Sequence, residues 1–509
     1  MRLKEVAIVL VLVFIFAVLL VKYYDPKVLN PKPSDFSVDM HVDYLKLEEE
    51  IVEKQVFFDE NRSGGEAKSV PVLVYHGVTP FPESGSVTID QFKQHMFALK
   101  KAGYETVTQK DLYEFLKGTK TLPDKSFVLT FDDGRKSSFY NTDLILKALD
   151  YKAAMFIVAK YSVEGNHRYY LNKAEINEMR ATGRWEIGAH SYNGHVTIPI
   201  DSASNRNSFY GNKLWLNDEN RLETDDEFYS RVGTDLIKAK NLVREEFNPE
   251  LLAFALPFSD FGQYKSNDRN VMPIMSLLLK QNFPIVYYQF KPIANRDFRS
   301  NYPDPGQGSD FVIRLTVYSE DSALDVMEQM EASRALDLPY AEDYSSRFRW
   351  IDNWGKFSLE KDSISLVPGD DKTTGLVYLD GSYLWTDYEY SFSTQFFSDL
   401  SVAQLVRYQN PENYLACLFR GNSVSAVMTY NNSTEVLKQA ALPSQIHLTD
   451  GSFVVLSTFV GPREISCSIN GIRVLTANHL DAVSHGGIGI KMFTTVPNQS
   501  IVINQISVK

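Results

Sequence analysis

The sequence predicts an α/β sheet or barrel followed by an all-β sandwich, both behind one N-terminal apolar helix. Three observations predict it. Short apolar strands alternate with amphipathic helices over residues 70–319, short alternating strands without a helical period fill residues 344–509, and an unbroken apolar run occupies residues 6–21. A chain of 509 residues, 44% hydrophobic and 23% charged, exceeds one ordinary core, so two or three domains are expected. The net charge of −12 and the lack of a strongly basic block argue against a nucleic-acid partner.

As a helix, residues 6–21 would span about 24 Å, slightly short of the roughly 30 Å hydrocarbon core of a bilayer. Lys22 can snorkel and Tyr23 and Tyr24 suit the interface, so residues 1–24 read as a signal anchor. No small-x-small cleavage pattern follows, which favours retention over removal. The expected location is membrane-anchored and extracytoplasmic, at the cell surface or in the periplasm, or secreted if the helix is cleaved. Residues 25–68, with prolines at 26, 31 and 33, the acidic stretch KLEEEIVEK and RSGGEAKS, read as stalk and linker.

The first folded unit is expected over residues 69–340. VPVLVYHGV is a strand, and in TIDQFKQHMFALKKAGY the residues Phe92, Met96 and Leu99 share a helix face that Gly103 ends. SFVLTF, KAAMFIVA and EIGAH are strands separated by the helices NTDLILKALDY and KAEINEMRATG. The long helix TDDEFYSRVGTDLIKAKNLVREEF opens with a capping box between Thr224 and Glu227. LLAFALPF, FPIVYYQF and FVIRLTV complete the strands, whose carboxyl ends are where a site belongs.

At one such end, TFDDG places Asp132 and Asp133 side by side before Gly134. Neighbouring strand residues point to opposite faces, so both carboxylates reach a cleft only where the chain turns. Two close carboxylates repel unless a cation or shared proton separates them. EIGAHSYNGH supplies His190 and His195 after another strand; on a helix they would diverge by about 140°, but Asn193-Gly194 signals a turn that folds them together. One aspartate and two histidines leave coordination positions open for water and substrate, the requirement of a hydrolytic metal site.

In order, YHGV, TFDDG, HSYNGH and PFSDFG resemble the polysaccharide deacetylases of carbohydrate esterase family four, over residues 70–319. The six-residue His-to-His element and the early Tyr-His strand are most similar to the poly-β-1,6-N-acetylglucosamine deacetylases, which have a circularly permuted, incomplete (β/α) barrel. The resemblance implies Asp132 as general base and Asp133, His190 and His195 as ligands of a divalent ion, zinc above others. It implies Phe258, after Pro257, as the backbone oxyanion donor, and His76 as the general acid, because the family's late histidine is missing: after His195 the next is His447.

Two departures stand out. The family's arginine before the motif proline is Ala255, and its Tyr-Gly is Phe258-Ser259, with Asp260 close behind. Arg314 in FVIRLTV reads equally as a compensating charge or as a solvated strand residue. Tyr192 and Trp215 are candidates to stack on sugars, and Asp260 and Arg314 join Pro257 and Phe258 as candidate substrate contacts.

The region 344–509 resembles concanavalin-like lectin domains in GSYLWTDYEYSFSTQF and GGIGIKMF, which implies a carbohydrate-binding or structural role. Asn470-Gly471 in EISCSINGIRVLT is the strongest hairpin signal. Trp350, Trp354 and Trp385 are binding candidates, with core packing expected of at least one. Cys417 and Cys467 lie in inward phase and read as two buried free thiols, with a disulfide the alternative that export permits.

The expected function is metal-dependent removal of N-acetyl groups from an extracellular N-acetylhexosamine polysaccharide, the polymer and the membrane being its partners. The alternatives are a peptidoglycan or chito-oligosaccharide deacetylase, and an inactive carbohydrate-binding surface protein that lost activity with its arginine.

Overall fold

Among the described residues seven short parallel strands form the closed ring of the first unit: β1 Val72–Tyr75, β2 Ser126–Phe131, β3 Ala153–Ile157, β4 Trp185–Ala189, β5 Phe254–Ala255, β6 Val286–Gln289 and β7 Phe311–Thr316, while the two-residue strand Glu105–Thr106 pairs with the start of β2. They are hydrogen-bonded in the order β1-β7-β6-β5-β4-β3-β2, and β2 returns to β1 from Val72↔Val128 to Tyr75↔Phe131, closing the barrel one strand short of eight. The computed structural model describes residues 64–509 except 166, 264, 290–299, 304–310, 370–372, 398, 447, 449–450 and 480–481. The expected anchor and residues 25–63 of the expected stalk lie outside the described residues. Among the described residues no helix is long and apolar enough to cross a membrane.

The strands are apolar on both faces because both are covered. Outward residues such as Leu73, Phe127, Leu129, Met155 and Ile187 join the core beneath the helices. Inward residues Val72, Val128, Ala154, Phe156, Ala255, Ile285, Tyr287 and Val312 fill the barrel. Gly188 is required there, since a Cβ would lie 2.3 Å from the Phe156 ring.

The longer helices are α1 Ile89–Lys101, α2 Gln109–Leu116, α3 Asp143–Leu149, α4 Lys173–Ala181, α5 Asp225–Phe247, α6 Val271–Asn282 and α7 Ala323–Ala332. Thr88, Thr108, Asn172, Thr224 and Ser322 each open one with a reciprocal capping box, including the expected pair in which the Glu227 N–H donates to Thr224 Oγ1 at 3.2 Å. These boxes satisfy helix N–H groups that would otherwise be orphaned at the barrel rim.

Low in the barrel, Glu186 accepts the Gln109 N–H at 2.8 Å. Burial pushes its carboxyl up from 4.5 to about 7. A raised carboxyl pKa means that the folded state holds the proton more tightly, so its stabilisation is full below 4.5 and is lost as pH rises through about 7. Glu186→Gln is therefore expected to flatten the fall in Tm across that window, measured by thermal melts in buffers of matched ionic strength.

The second unit is two antiparallel sheets packed face to face. One runs Lys356–Leu359, Ser363–Val367, Ile501–Val508, Tyr388–Phe396, Ser452–Val460, Glu464–Ile469, Ile472–Asn478; the other runs Trp350–Trp354, Thr374–Leu379, Gly487–Thr494, Leu400–Asn410, Asn413–Arg420, Ser423–Tyr430, Ser433–Ala441. Asn470 and Gly471 take φ of 49° and 77° at the expected hairpin, whose strands pair from Ile469↔Ile472.

The cysteines correct the free-thiol expectation. Cys417 and Cys467 form a disulfide with a Cα–Cα distance of 5.7 Å, because their strands belong to opposite sheets and their inward side chains meet across the core. Two of the three tryptophans are likewise core residues: buried Trp350 donates Nε1–H to Glu342 at 2.7 Å, and buried Trp385 donates to the Leu336 carbonyl at 2.8 Å. Asp387 accepts from Arg407, a fully buried guanidinium that also donates to the carbonyls of Thr386, Gly461 and Val483 and so ties three loops. Trp354 alone of the three remains half-buried, with the Lys491 ammonium 5.4 Å from its ring centre.

Candidate active site

β2 continues into Asp132, whose N–H donates to the Tyr75 carbonyl of β1 at 3.1 Å. Asp133 and Gly134 then both take a φ of 70°. Aspartate and glycine tolerate this left-handed backbone, and the bend breaks strand alternation after Asp132. Asp132 therefore points into the barrel while Asp133 turns across its mouth, which is how two adjacent carboxylates share one strand end.

Asp132 is 1% exposed and Arg314 of β7 is 0% exposed. The guanidinium donates to both carboxylate oxygens in a fork, Nη1 to Oδ1 at 2.7 Å and Nη2 to Oδ2 at 2.6 Å. The rings of Phe156 and Tyr287 flank it at 5.7 and 5.8 Å. Burial pushes the Asp132 carboxyl up, but the Arg314 charge and hydrogen bonds, helped by His190 and His76, outweigh burial and hold it far below the usual carboxylate range. Arg314 is thus neither a solvated strand residue nor a substrate contact. It supplies from the last barrel strand the charge that Ala255 lacks.

His190 extends β4. Its Nδ1 lies 2.7 Å from the Ala255 carbonyl, which only accepts, so Nδ1 carries the proton and Nε2 keeps a lone pair. Burial lowers its pKa to about 4, so it is neutral at pH 7, as a metal ligand must be. His190 Nε2 lies 3.6 Å and His195 Nε2 3.5 Å from Asp133 Oδ1. That oxygen is buried and has no hydrogen-bond partner among the described residues. Three donor atoms around a tetrahedral zinc would stand about 3.4 Å apart. Orphan oxygen, donor types and spacing all fit one divalent ion, and this is the one such three-ligand group among the described residues.

Phe258 takes a φ of 56° in a tight turn after buried Pro257, is 42% exposed, and stacks on the His195 ring at 4.8 Å and 13°. Half-buried His76 ends β1 with its Nε2 3.0 Å from the Gln289 side-chain amide nitrogen. Gln289 is anchored in turn by its N–H donating to Ser259 Oγ at 2.7 Å.

The other sequence-predicted contacts have different surroundings. Asp260 is buried and faces inward, accepting from Ser208 Oγ at 2.5 Å and the Gly262 N–H at 2.9 Å, which makes it a loop latch rather than a sugar contact. Tyr192 donates its hydroxyl to Glu164 at 2.8 Å, and Lys238 covers its ring at 3.6 Å, leaving that face closed to a sugar. Trp215 sits on the small hairpin Trp215–Leu216 with Arg221–Leu222, outside the barrel sheet.

Sequence reasoning missed Gln289 and Asp235. Asp235 lies on α5 within the buried stripe of Phe228, Val232, Leu236, Ala239 and Val243. A carboxylate inside an apolar stripe was the available signal.

A family model described as polysaccharide deacetylase matches residues 119–270, which contain both aspartates and both histidines. These residues form a polysaccharide deacetylase domain. The chain is 26% identical over 189 residues to the poly-beta-1,6-N-acetyl-D-glucosamine N-deacetylase of Escherichia coli K12, covering 34% of this chain and 28% of that protein. It is 24% identical over 212 residues to the protein of the same name from Staphylococcus aureus MRSA252, covering 41% of this chain and 64% of that one. A solved de-N-acetylase structure from Aggregatibacter actinomycetemcomitans aligns with a TM-score of 0.42 and 20% identity, over 51% of this chain and 98% of that one. The chain thus spans about a quarter to two thirds of these two curated relatives, and its deacetylase domain carries the likeness.

Proposed function

We propose that the chain is a metal-dependent N-deacetylase of an N-acetylhexosamine polymer of the poly-N-acetylglucosamine type, working outside the cytoplasm from a membrane anchor. The observation that carries this reading is the unpartnered, buried Asp133 Oδ1 between two histidine Nε2 atoms, beside a carboxylate that an arginine keeps ionised.

In this reading Asp133, His190 and His195 hold the ion. Zinc, favoured by the mixed imidazole and carboxylate donors, would polarise the acetamide carbonyl and make water a better acid. Asp132, fixed by Arg314 and ionised at neutral pH, accepts the proton of the attacking water on a lone pair that the guanidinium does not use. The N–H of Phe258 donates to the carbonyl oxygen as negative charge develops there. His76, whose Nε2 is held against the Gln289 side-chain amide, gives the departing amine its proton from the other ring nitrogen, Nδ1. Arg314 beside Asp132 also removes the reason for reading the chain as inactive, which rested on Ala255.

Export is supported by the apolar run at residues 6–21 and by the Cys417–Cys467 disulfide, a bond typical of oxidising compartments. The sandwich is read as a carbohydrate-binding unit, with Trp354 as its remaining aromatic candidate.

Acetate release from poly-β-1,6-N-acetylglucosamine, chitin oligomers and peptidoglycan, assayed side by side on zinc-loaded protein, tests the proposal. The first polymer is expected to release most acetate and to gain free amines in equal amount. Preference for either other substrate would contradict the polymer assignment, and no release from any would contradict the reaction.

A further inference from the structure

The segment between the two histidine ligands has no regular secondary structure, yet it must hold His190 and His195 on one oxygen. Asp235, buried on α5, lies against it. Its Oδ1 accepts the Tyr192 N–H at 2.9 Å and its Oδ2 accepts the Asn193 N–H at 2.8 Å. The Tyr210 hydroxyl donates to the same Oδ1 at 2.5 Å. Tyr210 in turn presses on Gly194, where a Cβ would stand 2.7 Å from its hydroxyl oxygen. On the other side of the segment the carbonyls of Ser191 and Tyr192 accept the N–H groups of Ala159 and Lys160, each at 3.0 Å.

We infer that Asp235 is a positioning residue for the metal centre, a carboxylate that fixes the spacing of the two histidines by clamping the backbone between them. The inference rests on the metal reading above and adds a residue that touches neither ion nor substrate. Two consecutive N–H groups converging on one buried carboxylate need an acceptor on both oxygens, and the negative charge makes both bonds strong. An asparagine offers one acceptor and turns an NH₂ toward the other N–H, so the same shape no longer holds the turn. Groups that orient ligands without binding the metal typically contribute about 10- to 100-fold in metal affinity.

The test is a zinc titration of the folded chain by isothermal calorimetry. Asp235→Asn is expected to raise the zinc Kd by about 10- to 100-fold, with acetate release largely recovered at saturating zinc. Tyr210→Phe removes one donor and leaves both N–H bonds, so its Kd is expected to change by less than about threefold. Asp143→Asn is the control: Asp143 accepts from the Arg184 guanidinium and from Trp185 Nε1–H at the opposite end of β4 from His190, so its Tm is expected to fall with zinc affinity unchanged. Asp235→Glu keeps charge and both acceptors but displaces them by one methylene. It is expected to bind zinc more weakly than wild type and more tightly than Asp235→Asn, and it carries the test if the asparagine variant does not fold. Wild-type zinc affinity in folded Asp235→Asn, or in Asp235→Glu should that variant alone fold, would overturn the assignment while leaving the metal reading intact. A wild-type chain that binds no zinc would overturn both.

Discussion

Arg314→Met is expected to destabilise the chain by about 3–5 kcal/mol and to abolish acetate release. The substitution leaves Asp132 buried in the barrel with its charge unmatched, and Asp132 then relieves the cost by taking up a proton. A protonated Asp132 is no longer a base, so stability and activity fall from one cause. The double variant Asp132→Asn with Arg314→Met separates the two. It removes the unpaired charge and is expected to regain much of the stability, measured by urea unfolding, with activity still absent. Arg314→Lys is expected to be intermediate, because a single ammonium cannot reproduce the two-pronged contact with both oxygens. An Arg314→Met protein of wild-type stability and activity would show that the fork is incidental.

Asp133→Asn is expected to lose the ion and, with it, nearly all activity. Asparagine tolerates the left-handed backbone at this position, with its φ of 70°, so the variant should fold. The expected signature lies in the melts. Zinc at a hundred times its Kd should stabilise the wild-type site by about 2.7 kcal/mol, whereas the variant should gain little at the same concentration. In chelator the order should reverse, since the variant replaces a buried, unpartnered carboxylate oxygen by a neutral amide. Differential scanning calorimetry with and without zinc reads both effects.

Much of this site was legible in the sequence because its parts are local. TFDDG and HSYNGH each sit within a few residues of a strand end, and the apolar strands before them announce where those ends are. The capping box at Thr224 and the turn at Asn470-Gly471 are equally local. What escaped was set by closure of the barrel. Arg314 reaches Asp132 across 182 residues only because β1 pairs with both β2 and β7, which no local pattern encodes. A charge in the middle of FVIRLTV was visible, but its partner was not. The cysteines failed for the same reason, since inward phase on each strand does not say that the strands belong to facing sheets. Asp260 looked like a site residue because it follows the Pro-Phe motif, and only the packing of Ser208 and Gly211 against its carboxylate turns it inward. The cover that Lys238 gives the Tyr192 ring is likewise a tertiary property.

One measurement bears most directly on the central claim that an ion held by Asp133, His190 and His195 makes this domain a deacetylase. Chelated, metal-free protein is titrated with zinc while bound metal and acetate release from poly-β-1,6-N-acetylglucosamine are followed together. The prediction is that acetate release rises linearly with bound zinc and saturates at one ion per chain, with neither signal in Asp133→Asn. Full acetate release from the metal-free chain, or zinc uptake that is unchanged in Asp133→Asn, would contradict it.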